Sequence, residues 1–253
     1  MKKLTSLVVM LMMVSTSAFA QFANAGASST SSATDTGAWQ GVTASYNIGS
    51  LSYDIEGAKD IDFNGFSIGY VKAFSISKSL PLFVETGLNL TYATGEQDCD
   101  YWSGDAYHEV EAYYDYHFDA VTESCKLEYT YLGLTVPVNL AYKYTINDDL
   151  QVIPFTGIYF RGNLVAKGTH IEDEVVYCPY YKETIVETEE DDYDFFDDKE
   201  VEDTWNRFNF GWQIGAKVAY KNFTAGLSYG LDLNEISKKG KMNNLSISVG
   251  YNF

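Results

Sequence analysis

From Leu245 to Phe253 every second residue is apolar: Leu245, Ile247, Val249, Tyr251 and Phe253 share one face, and Ser246, Ser248, Gly250 and Asn252 the other. Successive side chains of an extended chain point to opposite faces, so this alternation predicts a β-strand with one apolar face. The design recurs upstream. Phe223, Ala225, Leu227, Tyr229 and Leu231 alternate with Thr224, Gly226, Ser228 and Gly230. Across 208–220, Phe208, Phe210, Trp212, Ile214, Ala216, Val218 and Tyr220 oppose Asn209, Gly211, Gln213, Gly215, Lys217 and Ala219. Looser alternation places strands near 39–49, 65–76, 81–93, 127–145 and 151–167, which makes eight.

Alternation also suits a soluble sandwich, and two features decide against one. The less apolar face carries mostly Gly, Ser, Thr and Asn in place of the Lys and Glu of a water-facing sheet, which fits the packed interior of a narrow barrel. The connections also alternate in length: 77–80, 146–150 and 221–222 are tight, whereas 50–64, 94–126, 168–206 and 232–243 are long. Short turns at one end and long loops at the other are the asymmetry of outer-membrane barrels, and an even strand count puts both termini on the short-turn side. The expected fold is all-β: an eight-stranded antiparallel up-and-down transmembrane β-barrel.

The N-terminus agrees with export. Lys2 and Lys3, an apolar run from Leu4 to Val14 and the small-x-small site Ala18-Phe19-Ala20 read as a cleaved signal peptide over 1–20. The run is too short to span a bilayer as a helix. Residues 21–38, rich in Ser, Thr and Ala, read as a flexible leader, and 39–253 as the barrel. No later apolar stretch has membrane-helix length, so a membrane location requires a closed barrel, which satisfies its own backbone hydrogen bonds.

Of the 253 residues, 21 are Tyr, 15 Phe, 20 Gly and only 4 Pro. The net charge of −18 is unevenly spread. Residues 94–125 hold nine acids and no Lys or Arg, and 168–204 hold fifteen acids against Lys182 and Lys199. The rest keeps 11 of the 35 acids and 15 of the 17 bases, a balance of +4. A nearly neutral body thus bears two acidic segments, whose sign excludes nucleic acid as a partner.

Aromatic residues gather at strand ends near the short turns: Phe74, Tyr142, Tyr144, Tyr220, Tyr251 and Phe253 are placed for an interfacial girdle. Lys72 has lipid-facing parity, which is tolerable if it snorkels to that interface. Pro137 lacks an N–H for the ladder, so a bulge is expected there. Around Phe155 the parity is ambiguous, with Ile153, Phe155 and Tyr159 opposed to Val152, Ile158 and Phe160.

The segments Tyr131-Leu132-Gly133-Leu134-Thr135-Val136-Pro137-Val138, Pro154-Phe155-Thr156-Gly157, Phe210-Gly211-Trp212-Gln213-Ile214-Gly215-Ala216 and Leu227-Ser228-Tyr229-Gly230-Leu231 follow in order. Over 39–253 the chain resembles the small outer-membrane β-barrel domain family, with its porin-like and PorT-like members. The ending Val249-Gly250-Tyr251-Asn252-Phe253 is similar to the C-terminal signal read by the barrel-assembly machinery, Tyr251 and Phe253 being its anchors. The resemblance implies residence in the bacterial outer membrane among its lipids. It implies no particular activity, and the acidic loops lie outside the shared pattern.

Five charged residues point into the expected lumen: Glu85, Lys143 and Lys217 in the half near the short turns, Arg161 and Asp232 nearer the outer mouth. A narrow lumen forces such charges to pair, giving a plug that holds the barrel shut, or, as an alternative, a narrow gated pore. Cys99, Cys125 and Cys178 occupy an oxidising compartment. Cys99 and Cys125, which flank one loop, are the best disulfide candidates, although three pairings are open. Asp191, Asp192, Asp194, Asp197 and Asp198 offer the oxygen ligands Ca²⁺ prefers but lack a calcium loop's spacing and Gly, so a solvated charge run is the default. Tyr101, Trp102, Tyr113, Tyr114 and Tyr116 stand among acids in 94–126 and are candidate contacts for an extracellular ligand. His108, His117 and His170 all sit in the acidic segments, a poor setting for a general base. The expectation is therefore a monomeric barrel without cofactor or catalysis, whose role is structural or surface-binding; a lipid-modifying enzyme is the alternative to that and to the pore.

Overall fold

The computed structural model describes residues 38–55, 59–77, 79–98, 120–178, 183–197, 199 and 204–253, with strand side chains at 120–123, 174–178 and 183–187 left aside. The expected signal peptide and nearly all of the leader lie outside the described residues. Residues 37–253 form one compact unit. Its strands are β1 (Gln40–Tyr53), β2 (Ile61–Ser75), β3 (Leu82–Asp98), β4 (Ala120–Tyr142), β5 (Tyr144–Thr145), β6 (Leu150–Cys178), β7 (Glu183–Asp194), β8 (Phe208–Tyr220), β9 (Phe223–Asp232) and β10 (Gly240–Asn252).

Eight of them close a ring. Neighbours run β4-β3-β2-β1-β10-β9-β8-β6, and β6 pairs back onto β4. The first and last strands meet along the whole of β1, from Gly41 opposite Asn252 to Tyr53 opposite Gly240. Every pairing between ring neighbours is antiparallel, so the ring meets its own backbone hydrogen-bonding groups, apart from a gap between β3 and β4 at Gly87 and Leu88. The two-residue β5 extends the β4 side at the short-turn end, and β7 lies outside the ring, paired to the far half of β6.

The alternation read from the sequence sorts cleanly onto two faces. Phe66 and Ile68 are 67% and 66% exposed, Phe223 and Val249 65% and 61%, and all four point outward. In water this belt of exposed apolar side chains would oppose folding at roughly 25 cal/mol per Å² left uncovered; lipid removes that cost. Tyr142, Tyr144, Tyr220, Tyr251 and Phe253 form an exposed aromatic rim at the short-turn end, with Phe223 and Tyr251 edge to face at 5.3 Å. Lys72 lies three residues from the end of β2, its ammonium 5.3 Å from the Phe74 ring centre.

Around Phe155 the parity resolves: Ile153, Phe155 and Tyr159 are buried inside while Ile158 and Phe160 face out. Some inward positions must be glycine. A Cβ at Gly211 would overlap the Tyr159 ring and the Leu231 carbonyl, so the small residue makes room for a ring that crosses the lumen.

Two expectations are corrected. There is no bulge at Pro137: β3 and β4 leave Gly87 and Leu88 unpaired opposite it and resume in the same register, while the Pro137 carbonyl accepts from Thr86 Oγ1 at 2.8 Å. The bulge lies instead in β6 at Leu164, because Leu132 pairs with Val165 and Gly133 with Asn163. It inverts the parity of β6, turning both Asn163 and Ala166 inward. The second correction concerns the long connections. Strands β3, β4 and β6 run on past the expected limits at 93, 127 and 167, and β7 adds an unforeseen hairpin partner, so part of each acidic segment is sheet. Polar residues on both faces erase the hydropathic signal there, whereas the backbone still pairs.

Candidate functional site

The interior is built in layers. At the short-turn end Phe83, Ala73, Ala141, Ile153, Phe155 and Ala219 pack together with Trp39 against them. Trp39 is drawn in by its carbonyl, which accepts from Ala73 N at 2.8 Å, and by ring contact with Phe83 at 4.9 Å. Above this layer the Glu85 carboxylate is 2% exposed and receives Lys217 Nζ on both oxygens, at 2.5 and 2.6 Å. Trp39 Nε1 and Asn139 Nδ2 also donate to it, at 3.1 and 3.3 Å, and Gln213 Nε2 donates to Asn139 Oδ1 at 2.7 Å. A buried carboxylate is tolerated when every lone pair is met in this way. Lys143 sits at the rim, its ammonium 5.6 Å and 5.1 Å from the Trp39 and Phe83 ring centres.

The middle of the lumen is polar and loosely filled. Asn47 Nδ2 donates to Ser67 Oγ at 2.6 Å, and Ser67 and Thr91 share a hydrogen bond at 2.8 Å. Two cavities of about 150 and 90 Å³ lie here, one reaching down to Glu85 and Lys217, the other up to Tyr131, Tyr159 and Arg161.

A second charged layer follows. Arg161 bonds Asp232 directly and donates through Nε to Asn163 Oδ1 at 3.2 Å. Tyr159 OH donates to the other Asp232 oxygen at 2.5 Å, Tyr131 OH donates to Asn163 Oδ1 at 2.7 Å, and both rings lie 5.9 Å from the guanidinium carbon. Asn163 Nδ2 then donates to Asn209 Oδ1 and to the Asn206 carbonyl, both at 2.6 Å. The structure thus joins Glu85 with Lys217 and Arg161 with Asp232, in separate layers.

The outer mouth is closed by a feature not foreseen from the sequence. Leu51, Ile61, Phe63, Tyr129, Tyr131, Trp205, Ile236 and Met242 pack in one cluster, with Phe195 and Phe196 against it. Phe195 stacks on Tyr129 at 5.7 Å and on Trp205 at 5.0 Å, and Trp205 meets the edge of Phe63 at 6.5 Å. The Arg207 guanidinium lies 4.1 Å from the Phe196 ring centre. Phe195 and Phe196 stand within the acidic run, where the surrounding charge hides an apolar pair; their adjacency was the only sequence signal.

Beyond the mouth, β4, β6 and β7 continue as a three-stranded sheet. Its rows include Leu127, His170 and Asp191, then Cys125, Glu172 and Glu189, then Glu123, Glu174 and Glu187. Lys126 Nζ reaches Glu128 at 3.0 Å and Glu96 at 3.1 Å, and these hydrogen bonds raise its pKa above the ordinary lysine value. The Cys125 sulfur is 2.9 Å from His170 Nε2, which is 3.4 Å from a Glu172 oxygen. The calcium candidates do not converge among the described residues: Asp191 and Asp192 are on opposite faces of β7, Asp192 accepts from Thr169 Oγ1 at 2.8 Å, and Asp194 and Asp197 accept backbone N–H groups at 3.0 Å. Asp198, Cys99, Tyr101, Trp102, Tyr113, Tyr114, Tyr116, His108 and His117 lie outside the described residues. At the other end Tyr251 and Phe253 project outward at the close of β10.

A ring of eight strands with an apolar exterior and a packed polar interior has one structural class. The chain has the fold of the small outer-membrane β-barrels. No family model matches it, and no curated protein does. Among solved structures it is similar to Ail, the attachment invasion locus protein of Yersinia pestis, at 12% identity and a TM-score of 0.34, over 85% of this chain and 99% of that one. It is likewise similar to a major outer membrane protein from Thermus thermophilus, at 12% identity and a TM-score of 0.34, over 84% and 99%. The outer membrane enzyme PagL follows at 12% identity and 0.32, over 83% and 98%. These likenesses concern the fold.

Proposed function

We propose that this protein is a closed, monomeric outer-membrane barrel whose role is to carry an acidic, β-structured extension on the cell surface for contact with other molecules. The observation that carries this reading is the contrast between the lumen and the region beyond it. The lumen is occupied by an apolar layer at each end with an ion-pair layer inside each, whereas β4, β6 and β7 continue as an ordered sheet past the mouth. A pore would need the opposite arrangement. Planar-bilayer recordings on the refolded chain are expected to show no unitary conductance; openings of defined size under ordinary voltage would refute the closed barrel. Cross-linking in intact cells, from photoreactive residues placed singly along the chain, is expected to capture surface partners from the acidic sheet and not from the short turns.

The Cys99–Cys125 bridge belongs to the same reading. The described β3–β4 ladder ends at Asp98 opposite Lys126, the chain neighbours of Cys99 and Cys125, so a bridge between these two cysteines would close the hairpin where that pairing stops. Cys178 pairs instead with Glu183, six positions along β6 from the Glu172 that faces Cys125, roughly 20 Å away at ~3.3 Å per residue. With Cys125 taken up in that bridge, the neighbouring His170 and Glu172 remain as two metal donors, too few for a site. Peptide mapping without reductant is expected to return residues 99 and 125 on one cross-linked peptide and Cys178 unbridged to either; a fragment joining Cys125 to Cys178 would overturn the assignment.

A further inference from the structure

The β7 strand offers a feature that the barrel does not need. Twelve residues, Glu183–Asp194, pair with β6 along one edge, and among the described residues no strand pairs with the other. An unpaired edge presents a row of backbone N–H and C=O groups ready to take another strand. Exposed edges are usually guarded by charged side chains, Lys above all, by Pro or by a bulge; β7 has no Lys, Pro or bulge and is guarded by acids alone, and its pairing with β6 runs without a register shift from Cys178 opposite Glu183 to Lys167 opposite Asp194. Its residues are strand formers, Thr184, Ile185, Val186 and Thr188, set among seven acids and no base: Glu183, Glu187, Glu189, Glu190, Asp191, Asp192 and Asp194.

The charge decides which strand fits. A second copy of β7 would lay acids opposite acids, and like charges directly opposed across a ladder are destabilising. A strand bearing Lys or Arg at alternate positions would meet the acids of one face while its backbone completes the ladder. We propose that the free edge of β7 captures an extended, Lys- or Arg-rich segment of another polypeptide as an added strand. Backbone pairing supplies the affinity and the acidic faces the selectivity, which is the division of labour in strand-addition recognition. The inference rests on the surface-contact reading and names the partner's chemistry.

The test uses the full chain in detergent micelles and a fluorescent twelve-residue peptide of alternating Lys and Thr, read by anisotropy. Two controls accompany it: the same peptide with alternate backbone amides N-methylated, and an Asp-Thr peptide of equal length. The Lys-Thr peptide is expected to bind, with affinity falling at least about tenfold on N-methylation and the Asp-Thr peptide failing to bind. Charge attraction alone predicts equal binding of the methylated and unmethylated peptides, and that result would overturn the proposal, as would no binding of either. A chain carrying E189K, E190K, D191K and D192K is expected to exchange its preference for the Asp-Thr peptide. Because β7 lies outside the ring, the heat-dependent gel mobility of this variant should stay that of the folded barrel. If the peptides fail while cross-linking still finds partners on the extension, the edge is refuted and the surface-contact reading stands.

Discussion

Replacing Asp232 with leucine is expected to destabilise the folded barrel by about 3–5 kcal/mol, because it strands the Arg161 guanidinium in the lumen without its anion. Arg161 and Asp232 side chains are 8% and 0% exposed, so water has little access to take over the lost contact. The carboxylate also accepts from Tyr159 OH at 2.5 Å, and an unmet buried hydroxyl costs a further ~1–3 kcal/mol. The informative comparison is therefore the triple variant Asp232→Leu, Arg161→Met, Tyr159→Phe. It removes all the partners together and should regain most of the loss, since a buried ion pair is roughly neutral against apolar residues of similar volume. Urea unfolding of the chain refolded into vesicles measures both. If the single variant lost under about 1 kcal/mol, the guanidinium would have found water or another anion, and the outer half of the lumen would not be sealed as described.

This layer also shows what the sequence could and could not disclose. The eight ring strands were legible because lipid outside and a packed lumen inside impose opposite polarity on alternate residues, as in Leu245 to Phe253. The inward parity of Arg161 and Asp232 was legible for the same reason. Their union was not, because it depends on which strands become neighbours around the ring; Asn163 joins them on the same parity as Arg161, and the bulge at Leu164 then carries the inward face to Ala166. The bulge carries no composition signal; Pro137 does carry one and keeps its register all the same. Outside the membrane the polarity contrast vanishes. Residues 168–178 and 183–194 alternate acids and β-branched residues on both faces, so hydropathy reads them as loop although their backbones pair throughout. Trp205 escaped notice for a related reason: its ring partners Phe195 and Phe63, and the Tyr129 that stacks on Phe195, come from the end of β7, from β2 and from β4, and meet only when the chain folds back over the mouth.

Truncating Trp205 to alanine should consequently have the second-largest effect, a loss of about 3–5 kcal/mol, the range for removing a buried large aromatic side chain. The indole is 6% exposed and stacks on Phe195 at an interplanar angle of 21°. Its backbone N–H donates to the Phe195 carbonyl at 2.7 Å, and Phe195 N donates to the Ala166 carbonyl at 3.0 Å, so the two rings fix where the chain re-enters the barrel. The damage should be graded along the axis. Protease in the outer medium is expected to cut the Trp205→Ala chain between β7 and β8 well before the parent, whereas the ring, whose ladder and lower ion pair of Glu85 with Lys217 are untouched, keeps its heat-dependent mobility. Trp205→Phe, which retains a ring in the stack, should recover most of both the stability and the protease resistance. A Trp205→Ala chain as protease-resistant as its parent would mean that the aromatic cluster does not hold the mouth closed; Arg207 over Phe196 and the Asn163–Asn206 contact would then have to carry that closure.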